Sequence, residues 1–226
     1  MFTFAGSIND FGTIAGDYYD SSGANHGFLR AANGTITSFD APGSTNTNAD
    51  IFSGLNDFGV INGEYTDSSG VWHGFLRTRN GTITTIDVKG AGTGAKQGTL
   101  ASSGNNFGAI AGEIVNSNNV YHSFLRAPDG TITKFNVEGA GKGSGQGTYT
   151  SNINDFGAIT GGYTDSNNVT HGYLRAPDGT ITKFNVEGAG KGSGQGTEPV
   201  SNNLWGAITG YYVDSNNVAH GFLRQP

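Results

Sequence analysis

The sequence contains no cysteine, which excludes both a disulfide framework and a thiolate metal site. Only 13% of the residues are charged, and the formal net charge is -6. Because Lys and Arg form no cluster, the surface would repel a phosphate backbone, and we expect no nucleic-acid partner. No apolar run approaches the roughly 18 residues that a membrane span needs. The N-terminus lacks the basic start and long apolar stretch of a signal peptide.

Glycine, by contrast, is abundant. The 39 glycines and 5 prolines make 44 of 226 residues, about 19%, which is below the roughly 25–30% typical of disordered low-complexity chains. Polarity comes mainly from Ser, Thr, Asn and Gly, and aromatic residues make up 11% of the chain. This composition is typical of a folded all-β protein with many turns.

A five-residue motif, HGFLR or a close variant, occurs five times and contains every histidine of the chain. The copies start at His26, His73, His122, His171 and His220, at spacings of 47, 49, 49 and 49 residues. The same order of segments precedes each copy. The spacing therefore predicts five tandem structural units within one domain spanning residues 1–226.

Each unit contains four short β-prone runs, which we name A to D, separated by turn sequences such as NDFG, DSNN and PDG. No window shows the period of an amphipathic helix. A four-stranded antiparallel sheet cannot bury both of its faces alone, whereas sheets packed around an axis can. The fold class predicted is therefore all-β, a closed five-bladed β-propeller with four-stranded antiparallel blades.

The last blade is predicted to lack one strand. The TIT sequence of strand D occurs at Thr35, Thr82, Thr131 and Thr180 but not after Arg224. This gives five A, five B, five C and four D strands, nineteen in all. The incomplete edge could be left short, closed by the N-terminal segment or completed by another molecule; we expect it to be left short, at the rim.

The unit resembles the HAF repeat of bacterial, mostly exported proteins, which is named for a His-small-Phe motif. His26, Gly27 and Phe28 carry the resemblance, together with INDFG at residues 8–12 and 153–157. LNDFG, GNNFG and NLWG replace the second motif in the other units. The resemblance implies an extracellular or cell-envelope location and no established activity. The architecture is also similar to that of the five-bladed tachylectin lectins.

Residues 126–148 recur without change at 175–197. Such identity indicates recent amplification or engineering, and the divergence of the first two units favours a natural array.

The five histidines are predicted to be structural, because each lies in a different unit without a second ligand at metal-binding spacing. We expect each to hydrogen-bond a neighbouring blade or turn. The arginine that ends each motif is predicted to meet the Asp of an adjoining turn, at Asp10, Asp57 or Asp155. These arginines are Arg30, Arg77, Arg126, Arg175 and Arg224.

Candidate ligand-binding residues lie on the Gly-rich links between units and among aromatic residues at variable positions. The link candidates are Lys96, Gln97, Lys142, Gln146, Lys191 and Gln195, and the aromatic candidates are Trp72, Tyr121 and Trp205. The link GAGKGSGQGT lacks the Gly-Lys-Ser/Thr sequence of a phosphate-binding loop. The acidic turns supply one carboxylate each, too few for a calcium loop.

No Ser-His-Asp order, paired catalytic carboxylates or metal cluster recurs in the sequence, so we expect no enzyme activity, cofactor or metal. The leading hypothesis is a binding or scaffold propeller that binds carbohydrate at shallow sites between blades or on the loop face. The alternative is a purely structural repeat protein, a monomer or weakly self-associating through its open blade edge.

Overall fold

A computed structural model of the chain describes residues 2–49 and 54–226. Within these ranges it contains nineteen β-strands and no helix. The A strands are β1 (Thr3–Ile8), β5 (Asn46–Asn48), β9 (Gly98–Gly104), β13 (Gly147–Ile153) and β17 (Gly196–Asn202). The B strands are β2 (Ile14–Tyr19), β6 (Ile61–Thr66), β10 (Ile110–Val115), β14 (Ile159–Thr164) and β18 (Ile208–Val213). The C strands are β3 (Asn25–Arg30), β7 (Trp72–Arg77), β11 (Tyr121–Arg126), β15 (Thr170–Arg175) and β19 (Ala219–Arg224). The D strands are β4 (Ile36–Phe39), β8 (Ile83–Ile86), β12 (Ile132–Phe135) and β16 (Ile181–Phe184).

The turns between the strands follow the predicted chemistry. In the A–B turn of the first unit, Asn9 Oδ1 accepts hydrogen bonds from the backbone N–H groups of Phe11 and Thr13. In the B–C turn, Asp20 Oδ1 accepts from Ser22 and Ala24 in the same way. These side chains replace backbone partners, so that a tight turn leaves few polar groups unpaired.

In the first four units the strands pair as an antiparallel meander, A with B, B with C and C with D, and in the fifth unit A pairs with B and B with C. Units two to five are joined by single parallel contacts between the start of strand C and the start of the next strand A: Trp72 with Gly98, Tyr121 with Gly147, and Thr170 with Gly196. A Cβ at Gly147 would lie 2.1 Å from the carbonyl oxygen of Tyr121. Glycine therefore allows the two backbones to approach.

The hydrophobic core lies between successive units. One cluster joins the first two units through Ala15, Ile61 and Phe75, and a second contains Ile110 and Phe124. A third contains Tyr173 and further residues of the fourth unit. Each sheet thus buries a face against the next sheet, as expected for units that cannot form a core alone.

The two ends of the array differ from its interior. Ile153 is 3% exposed, whereas its counterpart Ile8 in the first unit is 67% exposed. On β19, Leu223 is 61% exposed. Among the described residues, no strand of the first unit pairs with a strand of the fifth. No strand pairing of the described residues closes the ring, and the end units expose apolar side chains that are buried in the interior units, so closure of the ring stays a prediction.

The last strand of the described residues is β19, a C strand. In the described part of the chain β19 pairs with β18 alone, so its outer edge is left short. No helix long and apolar enough to cross a membrane occurs in residues 2–49 and 54–226.

Candidate functional site: the mouth and the central cavity

The histidines form hydrogen bonds within their own units. His26 Nδ1 lies 2.8 Å from Asp40 Oδ1, after strand D, and its Nε2 lies 3.5 Å from Asp20 Oδ2 in the B–C turn. The hydrogen bond with Asp40 raises the pKa of His26. In the third unit, His122 is held by two amides, Asn116 and Asn136, at 3.0 and 2.8 Å. Each of these histidines ties a turn to the end of strand D, which is a structural role.

The arginines do not meet the A–B turns, and that prediction is wrong. Arg77, Arg175 and Arg224 lie over the rings of Phe39, Phe135 and Phe184, each at the end of strand D of the preceding unit, at 4.7 to 5.1 Å. No arginine of the described ranges forms an ion pair. The contact between the sheets places the guanidinium over an aromatic ring, where the cation–π interaction stabilises it.

The link glutamines are engaged inside the protein. Gln146 Oε1 accepts a hydrogen bond from Gly143 N–H at 2.8 Å, and its Nε2 donates to Asn168 Oδ1 at 2.8 Å. Gln97 and Gln195 make the same contacts in their own units. Each glutamine fastens a link to the B–C turn of the following unit, so a ligand would have to compete with these bonds.

The other predicted site residues are dispersed. Lys96, Lys142 and Lys191 are exposed on three different links. Lys191 lines a groove of about 440 Å³ beside Asp165 and His171. Trp72 and Tyr121 are partly buried at the starts of their C strands. The structure therefore does not bring the predicted set into one site, and their ligand-binding role stays a prediction.

The five A–B turns, in contrast, meet around one opening, which we call the mouth. It has a volume of about 400 Å³ and is lined by residues of all five units. Four hydrogen bonds of 2.8 to 3.2 Å connect its turns, each from the Nδ2 of a turn asparagine to the carbonyl of the asparagine in the next unit. This ladder runs through Asn9, Asn56, Asn105, Asn154 and Asn203.

A second ladder lies beside the first. The backbone N–H of Asp10 donates to Asp57 Oδ1, that of Asp57 to Asn106 Oδ1 and that of Asn106 to Asp155 Oδ1, at 2.8 to 3.0 Å. Asn106 Nδ2 also bridges the carboxylates of Asp57 and Asp155. The amide of Asn106 thereby separates two like charges, and Leu204 ends the ladder because its side chain has no acceptor.

One aromatic ring from each A–B turn projects into solvent beside the mouth, and we call these five rings the aromatic crown. Their exposed fractions range from 59 to 77%. Two of them, Phe156 and Trp205, contact each other edge to face at 6.4 Å. The crown consists of Phe11, Phe58, Phe107, Phe156 and Trp205. Trp205 is thus the one predicted aromatic that belongs to a larger set.

Below the mouth lies a cavity of about 430 Å³, which we call the acidic cavity. It is lined by carboxylates, tyrosines, small hydroxyl residues and apolar groups: Glu64, Leu100, Ser102, Glu113, Tyr149, Thr150, Ser151, Glu198, Pro199, Val200 and Tyr211. Strands β9, β13 and β17 contribute residues to both the mouth and the acidic cavity. The mouth and the acidic cavity are therefore formed along the same three A strands.

Irregular pairing shapes the cavity wall. The register between strands A and B shifts near Ser102, Ser151 and Val200, at equivalent positions of units three to five. A β-bulge redirects a side chain, and bulges are common beside functional sites. Here all three residues line the cavity, and Ser102 Oγ donates to Glu113 Oε2 at 3.0 Å.

Burial dominates the electrostatics of the acidic cavity. It raises the pKa of Glu113 to about 8, although the backbone N–H of Thr150 and the hydroxyl of Ser102 favour the charged form. Burial also raises the pKa of Glu198, which accepts a hydrogen bond from Tyr149 Oη. The pKa of Tyr149 rises because of burial and then because of the nearby Glu198 carboxylate. Carboxylates shifted in this way, in a cleft, are candidates for ligand contacts.

This cavity was not among the predicted sites, although the sequence carries a signal for it. The fourth residue of strand B is acidic in the first three units, at Asp17, Glu64 and Glu113, within otherwise apolar or small residues. All three are nearly buried. Acidic residues are rarely buried without a partner or a function, so their recurrence inside a strand indicates an inner polar site.

No family model matches the chain, and no curated protein matches it. Among solved structures, the chain is similar to streptogramin B lyase, with 16% identity and a TM-score of 0.51, over 98% of this chain and 72% of that one. It also matches the β-propeller domain of the trilobed protease from Pyrococcus furiosus, at 8% identity and a TM-score of 0.30, over 99% and 95% of the two chains. The likeness to streptogramin B lyase and the all-β strand pattern indicate a fold of the β-propeller type.

Proposed function

We propose that the chain is a non-enzymatic binding propeller of five blades, the last one short, that binds carbohydrate on the face carrying the aromatic crown. The observation that carries this proposal is the recurrence of one exposed ring per unit around a polar mouth. Each A–B turn holds one large apolar side chain in solvent, and two of these rings, Phe156 and Trp205, contact each other. Clustered exposed apolar surface marks interaction sites.

The chemistry of this face suits a polyhydroxylated ligand. Aromatic faces give apolar contact area that can pack against the C–H face of a sugar ring. Asn202 lines the mouth, and its Oδ1 is buried without a hydrogen-bond partner. The carboxylates of Asp57 and Asp155 add acceptors at the same rim. A few oriented polar groups among apolar walls are typical of small-molecule sites.

A glycan array followed by titration calorimetry with the best ligand tests the proposal. Phe156→Ala/Trp205→Ala should weaken binding by tenfold or more, because both rings of the contacting pair are lost. Leu223→Ala, which removes an exposed apolar side chain of β19 away from the crown, should leave affinity unchanged. Absence of binding across diverse sugars, or equal affinity in the crown variant, would contradict the carbohydrate assignment.

A second candidate function is head-to-tail self-association, which the unpaired ends of the array favour. Among the described residues, Asn203 Nδ2 and the Leu204 N–H have no acceptor, and no other unit donates to the Asn9 carbonyl or the Asp10 side chain. The donors of one end thus match the acceptors of the other. The occupant of each end face would be the opposite end of a second copy.

Light scattering between 10 and 500 μM tests this candidate. We expect the mean mass to grow with protein concentration. Leu223→Lys on one end, or Phe4→Lys on the other, should reduce this growth. A strict monomer over this range would contradict it.

A further inference from the structure

The mouth presents hydrogen-bond acceptors but no cationic side chain. Its rim carries the carboxylates of Asp10, Asp57 and Asp155, and no Lys, Arg or His of the described residues lines it. None of these carboxylates forms an ion pair within residues 2–49 and 54–226. The Nδ2 donors of the asparagine ladder, except that of the last unit, are already bonded to the next turn. The mouth therefore suits a ligand that donates hydrogen bonds and carries positive charge.

Asn202 adds a buried acceptor at this opening. It ends β17, lines the mouth and is 7% exposed. Its Oδ1 is buried without a hydrogen-bond partner in the described part of the chain. An unpaired buried acceptor destabilises a fold unless a ligand or water donates to it. The fold does not require a polar residue here, because Ile153 occupies the same place at the end of β13 and is 3% exposed.

Asp155 belongs to the turn that Asn202 contacts. Asn202 Nδ2 donates to the carbonyl of Ala158, in the A–B turn of the fourth unit, at 3.1 Å. The Asp155 oxygens accept from the backbone N–H and the Nδ2 of Asn106, at 2.8 and 3.1 Å. A carboxylate offers about four acceptor sites, so acceptor capacity remains. The equivalent residue of the fifth unit is Leu204, whose side chain has no donor for it.

The two crown rings that contact each other belong to the same pair of turns. Phe156 follows Asp155 in the fourth unit, and Trp205 follows the mouth residues of the fifth unit. Their ring centroids are 6.4 Å apart. A sugar ring packed on this pair would have its polar substituents at the rim, beside Asp155 and Asn202. The mouth volume of about 400 Å³ lies within the roughly 300–1,000 Å³ typical of small-molecule pockets.

We propose that the mouth between units four and five binds the ammonium group of an amino sugar. The N–H groups of the ligand donate to Asp155 and to Asn202 Oδ1, while its ring packs on the crown pair. This inference rests on the carbohydrate binding proposed above and names the substrate class. A charged hydrogen bond to a carboxylate is stronger than a neutral one, so a free amine is preferred to a hydroxyl or an N-acetyl group.

Titration calorimetry with three trisaccharides at pH 6.5 and constant ionic strength tests the proposal. The probes are the β-1,4-linked trimers of glucosamine, N-acetylglucosamine and glucose. The glucosamine trimer should bind at least about tenfold more tightly than either neutral trimer, because it alone brings a charged donor.

Asp155→Asn removes the charge but keeps an acceptor for the Asn106 N–H. It should lower the affinity for the glucosamine trimer to that for the glucose trimer and leave the latter unchanged. Asp129→Asn is the matched control, because Asp129 lies in an exposed C–D turn outside the mouth and its Oδ1 likewise accepts a backbone N–H, that of Thr131. It should change neither affinity.

Asn202→Ile gives the fifth unit the residue that the fourth unit carries. It should weaken binding of the glucosamine trimer by severalfold without lowering Tm, since it removes an unpaired buried acceptor. A purely structural Asn202 predicts the reverse, a lower Tm with the sugar preference unchanged, and that result would overturn its assignment. Circular dichroism establishes that each variant is folded, and Asn202→Ile decides if Asp155→Asn does not fold.

Equal affinity for the three trimers would overturn the ammonium site while the carbohydrate proposal stands. An equal loss in Asp155→Asn and Asp129→Asn would overturn it too, because it would show only attraction to the net negative charge of the chain. Absence of binding by all three trimers at 20 mM would overturn both proposals, so the two failures are distinguishable.

Discussion

The interior and end units carry the same motif in different surroundings. Phe124 of the third unit is fully buried, whereas its counterpart Phe222 in the fifth unit is partly exposed. Likewise Thr160 of β14 is fully buried, but the equivalent Thr209 is exposed. Both pairs occupy the same strand position. The comparison shows that burial in this fold is set by whether another sheet covers the face.

The largest expected effect comes from removing the same ring at an interior and an end position. Phe124→Ala should lower the free energy of unfolding by about 3–5 kcal/mol, because a fully buried ring leaves a cavity. Phe222→Ala should cost about half as much or less, since this ring is already partly exposed. Urea denaturation followed by fluorescence measures both. Equal losses would show that the fifth unit is covered in solution.

The next largest effect concerns Glu113. Its pKa in the folded protein, about 8, lies above the ordinary value of 4.5, so between these values the folded state holds a proton that the unfolded state has released. The contribution is fully present below about pH 4.5 and is lost as pH rises through about 8. The free energy of unfolding should therefore fall by up to ~1.4 kcal/mol per pH unit in this window.

Glu113→Gln should remove this contribution, whereas the exposed Glu138→Gln should not. Urea denaturation at pH 5, 6.5 and 8 measures it. A slope unchanged by Glu113→Gln would show that the carboxyl is ionised and solvated in the folded protein.

A smaller effect is expected from the asparagine ladder. Asn105 and Asn203 both cap their own turns through Oδ1, but only Asn105 donates through Nδ2, to Asn154 O at 3.1 Å. Substitution by Asp keeps the cap and removes the donor. Asn105→Asp should lower the free energy of unfolding by about 1–3 kcal/mol, since the carbonyl of Asn154 then faces a carboxylate oxygen. Asn203→Asp should lower it by only about a few tenths of a kcal/mol. Thermal unfolding compares the pair, and equal shifts in Tm would contradict an inter-unit role.

The repeat, strand order and turns could be predicted because each depends on local sequence. Period-two alternation, Asx turns and glycine act within a few residues. The contacts between units could not be predicted, because they depend on which sheet faces meet. Arg77 is an example: it was predicted to meet the Asp of an adjoining turn, whereas the packing of the sheets places it over the ring of Phe39. The aromatic crown shows the same limit, since NDFG and its variants predict turns but not that the five turns meet around one opening.

The central claim is that each unit is covered only by its neighbours along the chain, which leaves the first and last faces open. Hydrogen–deuterium exchange with peptide resolution tests it most directly. Slow exchange in β9 to β15 together with fast exchange in β1, β18 and β19 is expected at a concentration where the protein is monomeric. Uniformly slow exchange in β1, β18 and β19 under the same conditions would show that the array closes on itself.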